Sequence, residues 1–150
     1  MKKIYRIDLH YDQFYSHPRV TEAMTRLKAV VTAYHHSSQA KDHLRGCCRA
    51  VSAPGSTETG IDYIELQQDV KTRWWSTWQM CDSAMRMKPA LQLAATQKGK
   101  DVPPALLDLT EEDWIVIEVG WYLLKPFRDV QMILEVRQAN SLVLVFCTKV

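Results

Sequence analysis

The chain has 150 residues, 47% apolar and 24% charged, which suits one ordered domain large enough to bury a core. Its formal net charge of +2, with no dense basic block, gives no argument by itself for a nucleic-acid surface. Cys47, Cys48, Cys81 and Cys147 form no CxxC or CxxH pair; they exclude a zinc finger and fit a reducing compartment better than a disulfide-stapled secreted fold.

Residues 1–16 alternate loosely, carry Tyr5, Tyr11, Phe14 and Tyr15, and read as a tether or a short strand. The stretch 4–10 is too short and polar for a signal-peptide core. From Pro18 the period becomes helical. Val20, Met24, Leu27, Val31 and Tyr34 form one apolar stripe, with Arg19, Glu22, Arg26 and Lys28 mainly off it. The pattern predicts one long helix, about 25 residues and near 40 Å, running to Leu44 with Gly46 as its stop.

Residues 53–60 have turn chemistry throughout. Residues 61–70 then read as a strand, with Ile64, Leu66 and Gln68 on one face. Thr72 or Ser76 can cap the next helix, whose apolar positions include Trp74, Trp78, Cys81 and Met85, and Pro89 is expected to kink or end it. A second loop covers 97–104. Thr110, followed by Glu111, Glu112 and Asp113, marks a helix start: a hydroxyl can cap the free amides while carboxylates occupy the favourable end of the dipole.

The stripe Trp114, Ile117, Val119, Trp121, Leu124 and Phe127 follows, with Pro126 expected to bend or end that helix, and 128–136 resume a helical period. Residues 141–150 are apolar and β-prone. They fall well short of a membrane span. The strand at 61–70 is expected to pair with residues 3–9 or 141–147 or to stay disordered, and the preferred pairing sets 63–70 against 142–146.

The densest chemistry lies in Asp69-Val70-Lys71-Thr72-Arg73-Trp74-Trp75-Ser76-Thr77-Trp78. Indoles beside an arginine make either a packed junction or a stacking platform. Asp69 lacks the carboxylate partners that a two-metal site needs and reads as a cap of the next helix or a partner of Arg73. His35, His36 and His43 read as solvated or half-buried imidazoles, and Met80, Met85 and Met87 as adaptable packing. No Gly-rich phosphate loop, nucleophile elbow or paired-carboxylate motif occurs.

The same segment resembles the core of hAT-superfamily DNA transposases, in which an aspartate and a short spacer precede Thr-Arg-Trp, Asn-Ser-Thr and a helix; here Trp75 replaces the Asn. Upstream, residues 30–44 resemble the family's helix ending in a Ser-rich turn. Downstream, Glu111-Glu112-Asp113-Trp114 and Leu123-Leu124-Lys125-Pro126-Phe127 resemble landmarks of its helical insertion.

The resemblance implies a mainly α fold: an incomplete RNase H-like and helical-insertion fragment over 17–136 with one or two short strands, and a divergent tail at 137–150. It implies Arg73 and Trp74 as an ancestral DNA-end and base-stacking pair, with Asp69, Thr72, Ser76 and Thr77 in support. The family's acidic triad and its Cys-x-x-His have no counterparts here. The expectation is therefore a non-catalytic fragment with no catalytic or metal residues of its own and no cofactor. Intact relatives use Mg or Mn, bind terminal inverted repeats and cut and join DNA in the nucleus. DNA binding is expected to be weak or absent here. The alternative is a domesticated helical domain that binds protein through the exposed faces of the first helix and the Trp114 helix, with no membrane partner.

Overall fold

A computed structural model of the chain describes residues 16–51, 60–70, 74–97 and 99–147, with the side chains of Trp74 and of 134–147 outside the description. Among the described residues the elements are α1 (Pro18–His36), α2 (Ser38–Ala50), α3 (Trp74–Gln97), the single turn α4 (Pro104–Leu107) and α5 (Glu111–Cys147). None of the described residues lies in a β-strand. The mixed architecture with an RNase H-like strand or two is thereby overturned.

The stripe expected for the first helix is buried as read: Val20, Met24, Leu27, Val31 and Tyr34 all face the core, joined by Ala23 and Val30. The single long helix, however, is two. Ser37 adopts an extended conformation, and its hydroxyl accepts the Ala40 N–H at 3.1 Å. A serine that satisfies an amide from outside the helix ends one helix and starts the next. α2 then runs past Gly46 to Ala50, burying Ala40, Leu44, Cys47 and Cys48.

α3 is the central element, packed against α2, α4 and α5. Met80, Cys81, Ala84, Met87, Ala90, Leu91 and Ala94 are all fully buried. Small residues at 81, 84, 90 and 94 let the neighbouring helices approach closely, while the methionines fill what remains. Pro89 lies within this helix and does not end it. Its ring removes one backbone donor, but buried Met87, Ala90 and Leu91 anchor the helix on both sides of it, and packing outweighs the loss.

Residues 61–70 are the second correction. They form no ladder; Leu66 alone is buried, while Ile61, Tyr63 and Ile64 rest partly buried against the core. Two of their backbone donors go to helix side chains instead. The Gln67 N–H donates to Ser83 Oγ at 3.0 Å and the Val70 N–H to Ser76 Oγ at 2.8 Å. Hydroxyls on α3 thus satisfy donors that a partner strand would otherwise take. It enters through Gly60, whose φ of 106° suits glycine, and Ile61 N–H donates to Cys48 O at 2.8 Å.

α5 begins as expected. Asp113 N–H donates to Thr110 Oγ1 at 3.2 Å, and Asp113 Oδ2 accepts from the Thr110 N–H and hydroxyl, each at 2.9 Å. This is a capping box with aspartate in the return position. The helix then continues through Pro126 to Cys147, 37 residues in all. The expected C-terminal strand at 141–150 is overturned for 141–147, and so is its pairing with 63–70. Extending an existing helix avoids the cost of a new nucleus, so an apolar β-prone run can be carried along in it. Residues 1–15, expected as a tether or strand, lie outside the described residues, as do most of the 53–60 loop and residues 148–150. Among the described residues, no helix is long and apolar enough to cross a membrane.

Candidate functional site

The 69–78 segment sits where the connector meets the first turn of α3. Asp69 is its organising group. One carboxylate oxygen, Oδ1, accepts from the Ser76 hydroxyl at 2.6 Å and the Thr77 hydroxyl at 3.0 Å. The other, Oδ2, lies 2.6 Å from Lys28 Nζ on α1. The Asp69 side chain is 6% exposed and that of Lys28 48%, so the carboxylate is covered while the ammonium keeps contact with water. Ser76 and Thr77 are themselves buried. The cluster ties connector, α1 and α3 together.

Burial by itself raises the Asp69 pKa. The hydrogen bonds from Lys28, Ser76 and Thr77, and the Lys28 charge, outweigh it and hold the carboxyl below its usual range. A carboxylate in this state is a poor general base at neutral pH. The buried Ser76 hydroxyl donates to that carboxylate. The arrangement is a latch. A polar cavity of about 230 Å³ opens beside it, lined by Lys28, Val31, Thr32, Gln68, Asp69 and Met80.

Of the residues singled out from the sequence, Asp69, Ser76 and Thr77 are thus brought together. Thr72 and Arg73 lie outside the described residues, and Trp74 opens α3 with its side chain outside the description. Asp69, read as a cap of the next helix or a partner of Arg73, accepts from the Ser76 and Thr77 hydroxyls in the first turns of α3, and Arg73 lies outside the described residues. Sequence reasoning missed Lys28. It stood only as an off-stripe charge on the first helix, and nothing local ties it to Asp69.

A second constellation involves the indoles that are described. Trp78 is buried at 8% exposure, and the Arg128 guanidinium of α5 lies 4.8 Å from its ring centre. Trp75 is half-buried and, with Gln79, Arg128, Gln131 and Met132, lines a groove of about 150 Å³ between α3 and α5. An indole wall beside a guanidinium is the combination that stacks on planar groups. The groove's guanidinium is that of Arg128; the side chains of Arg73 and Trp74, the pair expected from the sequence, lie outside the description.

The histidines are dispersed. His35 Nδ1 is 3.7 Å from Glu65, and His43 Nε2 is 2.7 Å from Gln97 Oε1. Among the described residues no three His, Cys, Asp or Glu side chains gather in metal-binding geometry. The buried thiols are pushed up in pKa, Cys81 to about 12, chiefly by desolvation and then by Asp69 and Asp82. Such thiols are inert toward metal or disulfide exchange.

A second latch holds α5. Arg26 donates to both Asp113 oxygens, at 2.9 and 3.1 Å, and Arg19, two turns earlier on α1, pairs with the adjacent Glu112. Further along, Trp121 Nε1 donates to Asp82 Oδ1 at 3.0 Å. These contacts fix one face of α5 on α1 and α3 and leave the opposite face open. There Ile115, Tyr122, Leu123, Val130 and Ile133 are each more than half exposed, and Val119, expected in the buried stripe, is 45% exposed. Comparison with family models, curated proteins and solved structures gives no match for this chain.

Proposed function

We propose that the chain is a helical protein-interaction module without DNA chemistry. The observation that carries this reading is α5, which is apolar on two opposite faces, one packed on the core and the other open. A helix apolar all round belongs in an interior, so the open face is complete only when something covers it. The Asp69 latch supports the same view, because its carboxylate joins three elements and is a poor base. The test places a photo-crosslinking amino acid at position 123 of the full chain in cells, with a control at exposed Glu22. A discrete protein adduct is expected from position 123 alone; no adduct there, or equal adducts at both positions, would remove the reading.

A second reading is favoured by the order of the landmarks and by the groove of Trp75 and Arg128. On it, the chain is a non-catalytic relative of hAT-type transposases that works in the nucleus and keeps a remnant of DNA-end contact through Arg73, Trp74 and the groove. Metal and strand transfer belong to intact relatives. The test is a titration with hairpin-ended DNA, followed by indole fluorescence. Quenching that is lost in Arg128→Ala and Trp75→Ala supports this reading, and unchanged fluorescence up to high DNA concentration excludes it.

A further inference from the structure

The open face of α5 has a pattern of its own. Ile115, Val119, Tyr122, Pro126 and Ile133 follow four-three-four spacing with one position skipped at Asp129, the seam of a left-handed helix pair. Leu123 and Val130 flank the seam on one side. Glu118 and Lys125 flank it on the other; they are seven residues apart, hence on the same edge, and carry opposite charges. Neither makes an ion pair with a described residue.

We infer that this face pairs with the same face of a second copy, the two α5 helices running antiparallel and crossing near Tyr122. The inference rests on the interaction-module reading and names its partner. Three observations lead to it.

The first is charge. In an antiparallel pair the same edge of each helix meets its counterpart, so with the crossing near Tyr122 Glu118 of each copy faces Lys125 of the other. In a parallel pair that edge would meet the opposite edge, around Leu123 and Val130, and both charges would be left unmatched. The second is symmetry. A two-fold contact sets residue i on j and j on i, and the register that sets Glu118 on Lys125 brings Val119 toward Tyr122 and Ile115 toward Pro126, apolar against apolar in both directions. The third is area. Ile115, Val119, Tyr122, Leu123, Val130 and Ile133 keep between 45% and 61% of their surfaces open. That is on the order of 700 Å² per copy, near the roughly 800 Å² that each partner gives to a standard interface.

The experiment is sedimentation of the purified full chain across a concentration series, with three variants. The wild type is expected to form a dimer. Glu118→Lys and Lys125→Glu each place like charges at both symmetry-related contacts, and each should weaken the dimer at least about tenfold. The double variant, Glu118→Lys with Lys125→Glu, should recover most of that loss. Recovery separates pairing across the two-fold from a general effect of surface charge, and helical circular dichroism of each variant checks that the fold is intact.

A wild-type monomer overturns the inference, and so does a dimer indifferent to the single reversals or one that the double variant leaves as weak as the singles. A monomer that dimerises only after removal of residues 1–15 would show that this segment covers the face, which also overturns it. A monomer that still gives an adduct to another polypeptide at position 123 would remove self-pairing and leave the interaction module standing. No adduct would remove both.

Discussion

α3 and α5 are made of similar material and meet different fates. Both are apolar around most of their circumference and both carry an internal proline. α3 is enclosed: its residues 80, 81, 84, 87, 90, 91 and 94 are fully buried, and small side chains admit a neighbour on each side. α5 has large residues on both faces and is covered on one. Apolar content alone therefore does not place a helix in the core. What places it is whether its side chains are small enough, and its neighbours numerous enough, to close around it.

The largest expected effects come from opening the enclosed helix. Trp78→Ala removes a buried indole together with the surface on which Arg128 lies, and should cost about 3–5 kcal/mol. Leu91→Ala, with no exposed surface at all, belongs in the range of about 2–5 kcal/mol. Denaturant melts check both. If either variant lost less than a solvent-facing substitution on α5, the enclosed character of α3 would be wrong.

Part of the fold was legible in the sequence, and the reasons for the rest are physical. The stripe from Val20 to Tyr34 was readable because a 3.6-residue period needs no knowledge of neighbours. The Thr110 start was readable because a cap is local chemistry. The connector 61–70 was misread as a strand because alternation shows only that a segment is half-buried. That its donors end on Ser76 and Ser83 is a tertiary fact. Ser37 was the opposite failure, since a local capping signal stood in the chain but was outvoted by the stripe around it. At the candidate site, Asp69, Ser76 and Thr77 were gathered from one segment, whereas Lys28 arrives from a distant helix and no spacing announces it. The second face of α5 was hidden in part because Val119 was assigned to the buried stripe.

The two latches give effects of intermediate size. Asp69→Ala leaves the buried Ser76 and Thr77 hydroxyls without their acceptor and Lys28 without its partner, a loss of about 1–3 kcal/mol. Both Asp69 and Asp113 are subject to burial, which raises their pKa, and to hydrogen bonds and cationic partners that more than offset it, so both titrate below their ordinary values. Stability from this source is fully present above the unfolded carboxyl value near pH 4 and is lost as pH falls through the lower folded values. Melting temperature should hold between neutral pH and about pH 5 and fall below about pH 4. Asp69→Asn should flatten part of that fall. An acid limb identical in wild type and variant would show that the Asp69 latch does not couple protons to folding.

Ser37→Ala should cost about 1 kcal/mol, the usual worth of a helix N-cap. Its interest lies in direction. The α1–α2 break could close into one longer helix once the cap is gone, and helical circular dichroism would then rise while stability changes little. A loss near 1 kcal/mol with unchanged helicity shows instead that packing against α3 fixes the break.

The smallest effect is expected on the open face of α5, and its smallness is informative. Ile115→Ser replaces a side chain that is 61% exposed, so in dilute solution, where no second copy is bound, stability should move by less than about 0.5 kcal/mol. The same substitution at high protein concentration should have a larger effect. A partner that binds only the folded chain raises its melting temperature by mass action, and Ile115→Ser weakens that partner. Wild-type melting temperature should therefore climb with concentration, and the variant's should climb less. Parallel curves would mean that Ile115 is a solvent-facing residue with no share in any contact. A large loss already in dilute solution would mean that the face is covered within one chain, and the contrast between α3 and α5 would then disappear.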